Sequence, residues 1–139
     1  MKKMKYPKEI YFNNVKVATI LNSKYLDDGL TFFTEDNNTI QIGSWKYKKN
    51  KILPAHYHNT FKRESFVTQE AVYVVKGKIK CELYEENGNF ISSHILSKGD
   101  LMIQFSKAHQ YTMLKDSIVL EFKNGPYFGA EKDRTRIRL

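Results

Sequence analysis

Residues 54–77 read PAHYHNTFKRESFVTQEAVYVVKG. His56 and His58 stand two residues apart, Glu70 follows, and six residues rich in β-branched and aromatic side chains lead to Gly77. In an extended strand, side chains at i and i+2 share a face, so the two imidazoles would lie side by side while Tyr57 turns away. Imidazole nitrogens and a carboxylate suit first-row divalent metals; a strand carrying Glu70 beside the histidine pair would join the two donor types, and a later histidine could complete the shell. The run at 69–76 is the densest stretch of β-formers in the chain and reads as a central strand. Pro54 lacks a ladder donor, so a strand holding the histidine pair is expected to start there or lie at a sheet edge.

Working outward, the pattern stays β. Two short apolar runs within residues 9–22 flank Asn13-Asn14, which reads as a hairpin. Asp27-Asp28-Gly29 and residues 35–38 read as turns around a short strand at 30–33. Ile40 and Ile42 alternate with Gln41, predicting a half-buried strand over 39–47. Downstream, 78–85 alternates, and Asn87-Gly88 leads into 90–96; Asn-Gly between alternating runs is a strong hairpin signal because both central positions need positive φ. Lys98-Gly99-Asp100 turns the chain into a strand with Leu101, Ile103 and Phe105 on one face. Strands are also expected at 108–114 and 117–123, and residues 128–139 leave room for a turn of helix. Many short strands at close intervals predict an all-β sandwich or barrel.

With 139 residues, the chain is expected to form one domain: N-terminal strands over 1–49, the main body over 50–123 and a tail over 124–139. The formal charge of +8 comes mostly from scattered lysines, which read as solvated faces. Lys46, Lys48, Lys49 and Lys51 alternate with Trp45 and Tyr47 as an exposed strand edge would. No nucleic-acid-binding motif accompanies them, so no nucleic-acid partner is expected. The single cysteine, Cys81, excludes an intrachain disulfide and suits a reducing compartment. The first residues carry no apolar leader segment, and no window has the length of a membrane span, so a cytoplasmic protein without membrane contact is expected.

The order His-x-His, Glu, six residues, Gly resembles the first sequence motif of the cupins, which fold as double-stranded β-helix (jelly-roll) barrels. Asn50 stands where that motif has a leading glycine, and Asn enters the left-handed region more easily than most residues. Residues 59–65 read as an insertion, which makes Glu64 a rival acidic ligand. Glu70 is preferred because it keeps the motif's distance to a glycine. Gly99 through His109 resembles the second cupin motif, with Phe105 in place of its proline, Lys107 in place of its second glycine, Met113 in place of its asparagine, and the histidine one residue early. The resemblance covers residues 50–122. It implies a jelly-roll barrel with extra N-terminal strands, and a shell of His56, His58, Glu70 and His109 holding a divalent transition metal (Fe, Mn, Ni or Zn). It further implies a protein that acts on or binds a sugar, a sugar nucleotide or another small oxygenated metabolite, with Tyr73 and Gln104 as candidate substrate contacts. Alternatives within the same resemblance are a non-catalytic ligand-binding domain and a metal-free sugar epimerase or isomerase. Homodimers are common in the family, and residues 1–33 are the expected contact. His94 matches neither motif and reads as a surface or core histidine.

Overall fold

Asn13 and Asn14 take φ of 49° and 63°, and this pair of left-handed residues folds β1 (Lys8–Phe12) back on β2 (Val15–Asn22). The computed structural model describes residues 5–139; residues 1–4, the start of the expected dimer contact, lie outside the described residues. After β2 come β3 (Gly29–Phe32), β4 (Gly43–Lys46), β5 (Glu70–Lys76), β6 (Lys78–Tyr84), β7 (Phe90–Ser97), β8 (Asp100–Gln104), β9 (Ala108–Met113), β10 (Ile118–Lys123) and one turn of helix, α1 (Ala130–Asp133). The chain is all-β, as its alternation predicts.

All pairings are antiparallel. A five-stranded sheet runs β1-β2-β8-β5-β10, a three-stranded sheet runs β7-β6-β9, and β3-β4 forms a separate hairpin. The two larger sheets share one core, in which Val17, Ile20, Val72, Val74 and Met102 of the first meet Ile79, Cys81, Leu83 and Leu96 of the second. Burial of these aliphatic side chains, at about 1.5–3 kcal/mol each, is the main force joining the sheets. Period-2 alternation puts Glu70, Val72 and Val74 on the inner face of β5, and Ala71 and Tyr73 on its outer face.

The outer face of the large sheet is covered by the loop after β3. Ile40 and Ile42 pack there with Leu21, Ala71, Ile103 and Phe105, but the strand expected over 39–47 forms only at its end, in β4. A side-chain amide replaces the missing ladder: Gln69 Oε1 accepts from the backbone N–H of Thr39 at 2.9 Å and of Ile40 at 3.2 Å.

A larger departure concerns the strand expected to carry the histidine pair. Residues 47–69 contain no strand, and residues 45–68 are exposed throughout. Between residues 54 and 64 the contacts are short-range in sequence: Lys62 pairs with Glu64 at 2.6 Å, the Arg63 guanidinium lies over Phe61, and His56 Nδ1 lies 2.9 Å from the Pro54 carbonyl oxygen. Pro54 offers no ladder donor, and the lysines on either side gain nothing from burial, so local contacts prevail over pairing. As a consequence β9 and β10 each end a sheet with one unpaired edge, and the two sheets do not close into a barrel.

Candidate functional site between the two sheets

Register sets one row of polar side chains on the inner face of the large sheet. Glu70 on β5 lies opposite Gln104 on β8 and opposite Lys123 on β10, and directly opposed residues present their side chains to the same face. Glu121, two residues before Lys123, shares that face. On the facing sheet, His109 of β9 lies opposite the buried Leu83 and Tyr111 opposite the buried Cys81, so both rings point inward. The two sheets thereby bring His109 Nε2 to 3.2 Å from Glu70 Oε1. The His109 and Tyr111 rings stand 4.9 Å apart.

Electrostatics favour the neutral form of both partners. Burial, reinforced by the neighbouring Glu121 carboxylate and opposed by Lys123, pushes the Glu70 carboxyl up to about 7. Burial also pulls the His109 imidazole below its ordinary value; Glu121 opposes that shift, while the positive charges of Lys123 and Arg134 add to it. Lys123 lies 3.1 Å from Glu121 and 3.9 Å from Glu70, and its ammonium is stabilised mainly by Glu121. Near neutral pH Glu70 is therefore divided between its protonated and ionised forms, and the imidazole beside it is held toward its neutral form.

Glu70, Gln104, His109, Lys123 and residues 133–137 wall a cavity of about 810 Å³. Gln104 is buried; its Nε2 donates to the carbonyls of Ser106 (3.2 Å) and Lys107 (2.9 Å), while its Oε1 has no partner among the described residues. A buried orphan acceptor is costly unless something donates to it.

Of the residues expected from sequence, Glu70, Gln104 and His109 come together in this wall. Tyr73 lies on the opposite face of β5. His56 and His58 are neighbours, with ring centroids 5.3 Å apart, but sit in the exposed segment after β4, as does Glu64. Among the described residues, no three His, Cys, Asp or Glu side chains are grouped so as to hold a metal ion, so the four-residue shell is not assembled in this conformation. Half of it fits a metal chemically, since a neutral imidazole is a competent donor and Glu70 would release its proton on coordination. Lys123, Glu121, Arg134 and Arg136 were not singled out from sequence. The β5–β10 register that places the first two is non-local, and the only local signal for the arginines is their alternation through Arg138.

Compared with models of protein families, with curated proteins and with solved structures, the chain matches none. Among the described residues, no helix is long and apolar enough to cross a membrane.

Proposed function

We propose that the chain is a small jelly-roll protein of cupin type that binds a small oxygenated metabolite, a sugar or sugar nucleotide in class, in the cavity between its sheets. In this reading Glu70 and His109 are its proton-transfer pair. The observation that carries it is the carboxyl and the imidazole facing each other at 3.2 Å from two different sheets in one cavity wall. His109, with its lone pair free, accepts a proton from a ligand hydroxyl or from a carbon beside a carbonyl. The protonated Glu70 returns one to the oxygen or carbon that gains electron density.

Two features support the cupin part of the reading. The consecutive strands β5 and β6 lie in opposite sheets, and β5 pairs with β8 and β10 while β6 pairs with β7 and β9, the connectivity of a ribbon coiling into a jelly roll. Asn50 and Lys107, which stand where the resemblance has glycine, both adopt positive φ, 70° and 76°. The test is a thermal-shift screen with sugars and sugar nucleotides on the native chain, Glu70→Gln and His109→Gln. A ligand whose stabilisation is lost in both variants supports the pair, and stabilisation that survives both removes it.

A second reading follows from the adjacent, exposed imidazoles of His56 and His58 and from the unpaired edges of β9 and β10. If residues 47–68 close on those edges, the two histidines join Glu70 and His109 as ligands of a divalent transition metal. Such a metal would supply Lewis-acid or oxygen chemistry. Plasma mass spectrometry on the native chain and on His56→Ala/His58→Ala decides this: near-stoichiometric metal lost in the variant supports it, and equal metal content in both refutes it.

A further inference from the structure

The open side of the cavity is crossed by residues 134–139. The segment starts at a pinned point, where Asp133 accepts a hydrogen bond from Thr68 Oγ1 at 3.2 Å and lies 3.9 Å from Lys123 Nζ. It then reaches the β6–β7 turn, where a Cβ on Gly88 would collide with the carbonyl oxygen of Arg138. Arg134 is extended, with φ −142° and ψ 153°. Alternate residues of an extended chain face the same way, and Arg134 and Arg136 both line the cavity.

The charges in this wall are unevenly satisfied. Lys107 is paired with Glu86 at 3.2 Å and Lys123 with Glu121 at 3.1 Å. Arg134 and Arg136 have no carboxylate partner among the described residues. The cavity therefore offers two guanidinium forks without a carboxylate partner among the described residues. Guanidinium groups match the oxygens of phosphate by paired hydrogen bonds, and both arginines are exposed to an incoming ligand.

We propose that Arg134 and Arg136 form a clamp for a phosphate or diphosphate group on the ligand, carried into the cavity by a segment that straps its open side. The clamp sets the ligand's anionic end at the strap and its hydroxylated end toward Gln104 and Glu70. This rests on the reading of the cavity as the ligand site.

Calorimetric titration of the full chain with inorganic pyrophosphate tests it, with UDP and glucose as further arms. Native protein is expected to bind pyrophosphate, and Arg134→Gln/Arg136→Gln to weaken it about tenfold or more, while Lys48→Gln/Lys49→Gln, which removes the same charge elsewhere, changes it by less than about twofold. Tighter binding of UDP than of pyrophosphate would point to a nucleoside diphosphate, and equal binding to a phosphate group alone. The proposal falls if the native chain binds no pyrophosphate, if the arginine variant binds as well as native, or if both double variants lose affinity equally. Stabilisation by UDP-glucose that survives Glu70→Gln and His109→Gln but is lost in the arginine variant would refute the proton-transfer pair and leave the clamp standing. The reverse outcome would refute the clamp alone.

Discussion

Replacing His94 by glutamine is expected to tilt the stability of the protein against pH between about 4.5 and 6.5. His94 is buried on β7 between Lys8 Nζ, 3.2 Å from its Nδ1, and Ser92 Oγ, 2.9 Å from its Nε2. Burial, with the Lys8 charge added, pulls it from its ordinary 6.5 down to about 4. The fold thus keeps His94 neutral while the unfolded chain takes up its proton at 6.5, and acidification from 6.5 to 4 withdraws stability. At about 1.4 kcal/mol per tenfold change in proton affinity, the whole contribution is of order 3 kcal/mol. Glu70 acts in the opposite direction. Its pKa rises from 4.5 to about 7 in the fold, so its stabilisation is complete below 4.5 and is lost as pH rises to 7, again by an amount of order 3 kcal/mol. In the native chain these two slopes largely cancel. His94→Gln removes the rising one, so urea midpoints followed by circular dichroism should fall from pH 4.5 to 6.5 relative to those of the native chain. Glu70→Gln removes the falling one, and its midpoints should rise over the same window. Any overall loss of stability in either variant leaves the slope as the readout, and groups common to all three proteins cancel in the comparison. Parallel pH profiles for native, His94→Gln and Glu70→Gln would refute the reasoning.

Three further outcomes are expected. Cys81 is fully buried and its thiol is pushed up to about 12 by that burial, so it should resist iodoacetamide at pH 8 until the chain is unfolded, as mass spectrometry would show. Gly77 has φ of 93°, and a Cβ there would meet the Asp116 carbonyl and the Ser117 side chain and backbone; Gly77→Ala should lower stability by more than about 1 kcal/mol in chemical denaturation. Asn124 clips the end of β10 to the preceding loop, accepting from the Gln69 N–H at 2.8 Å and donating to Ser65 Oγ and the Val67 carbonyl. Asn124→Ala should therefore raise the rate of limited proteolysis within residues 47–68, and unchanged cleavage there would show that the clip does not restrain the segment.

The parts of the fold legible in the sequence are those decided by neighbours along the chain. Asn13-Asn14, Gly88 and Gly99 mark turns because the backbone there takes positive φ, although Asn87, expected to share it, does not; the strands on either side follow from alternation. The strands misread are those whose pairing depends on distant residues. Ile40 and Ile42 are buried as their pattern implies, yet a single amide from Gln69 holds their backbone in place of a sheet. The histidine pair lies beside Pro54 and a run of lysines, where alternation alone does not supply a partner strand. Within the site, the glycine spacing singles out Glu70, and its parity with Tyr73, three residues on, already places that tyrosine on the other face. The approach of His109 to Glu70 depends on how two sheets pack, and the row through Lys123 depends on a register between strands separated by four others in the chain; neither is written in local spacing.

The order of strands in the large sheet also bears on how the chain can be made. Ala18 pairs with Gln104 and Asn22 with Asp100, so β2 gains its inner neighbour only after the whole stretch 23–99 has been synthesised. Until then Val17, Ala18, Ile20 and Leu21, all buried in the finished fold, emerge from the ribosome with only the short β1 for cover. Pairings so distant in sequence are slow to close and leave sticky surface open meanwhile. A nascent chain stalled before β8 is thus a natural client for chaperones that hold exposed apolar strands, and the central β2–β8 ladder forms only after both the β3–β4 and β6–β7 hairpins have been made.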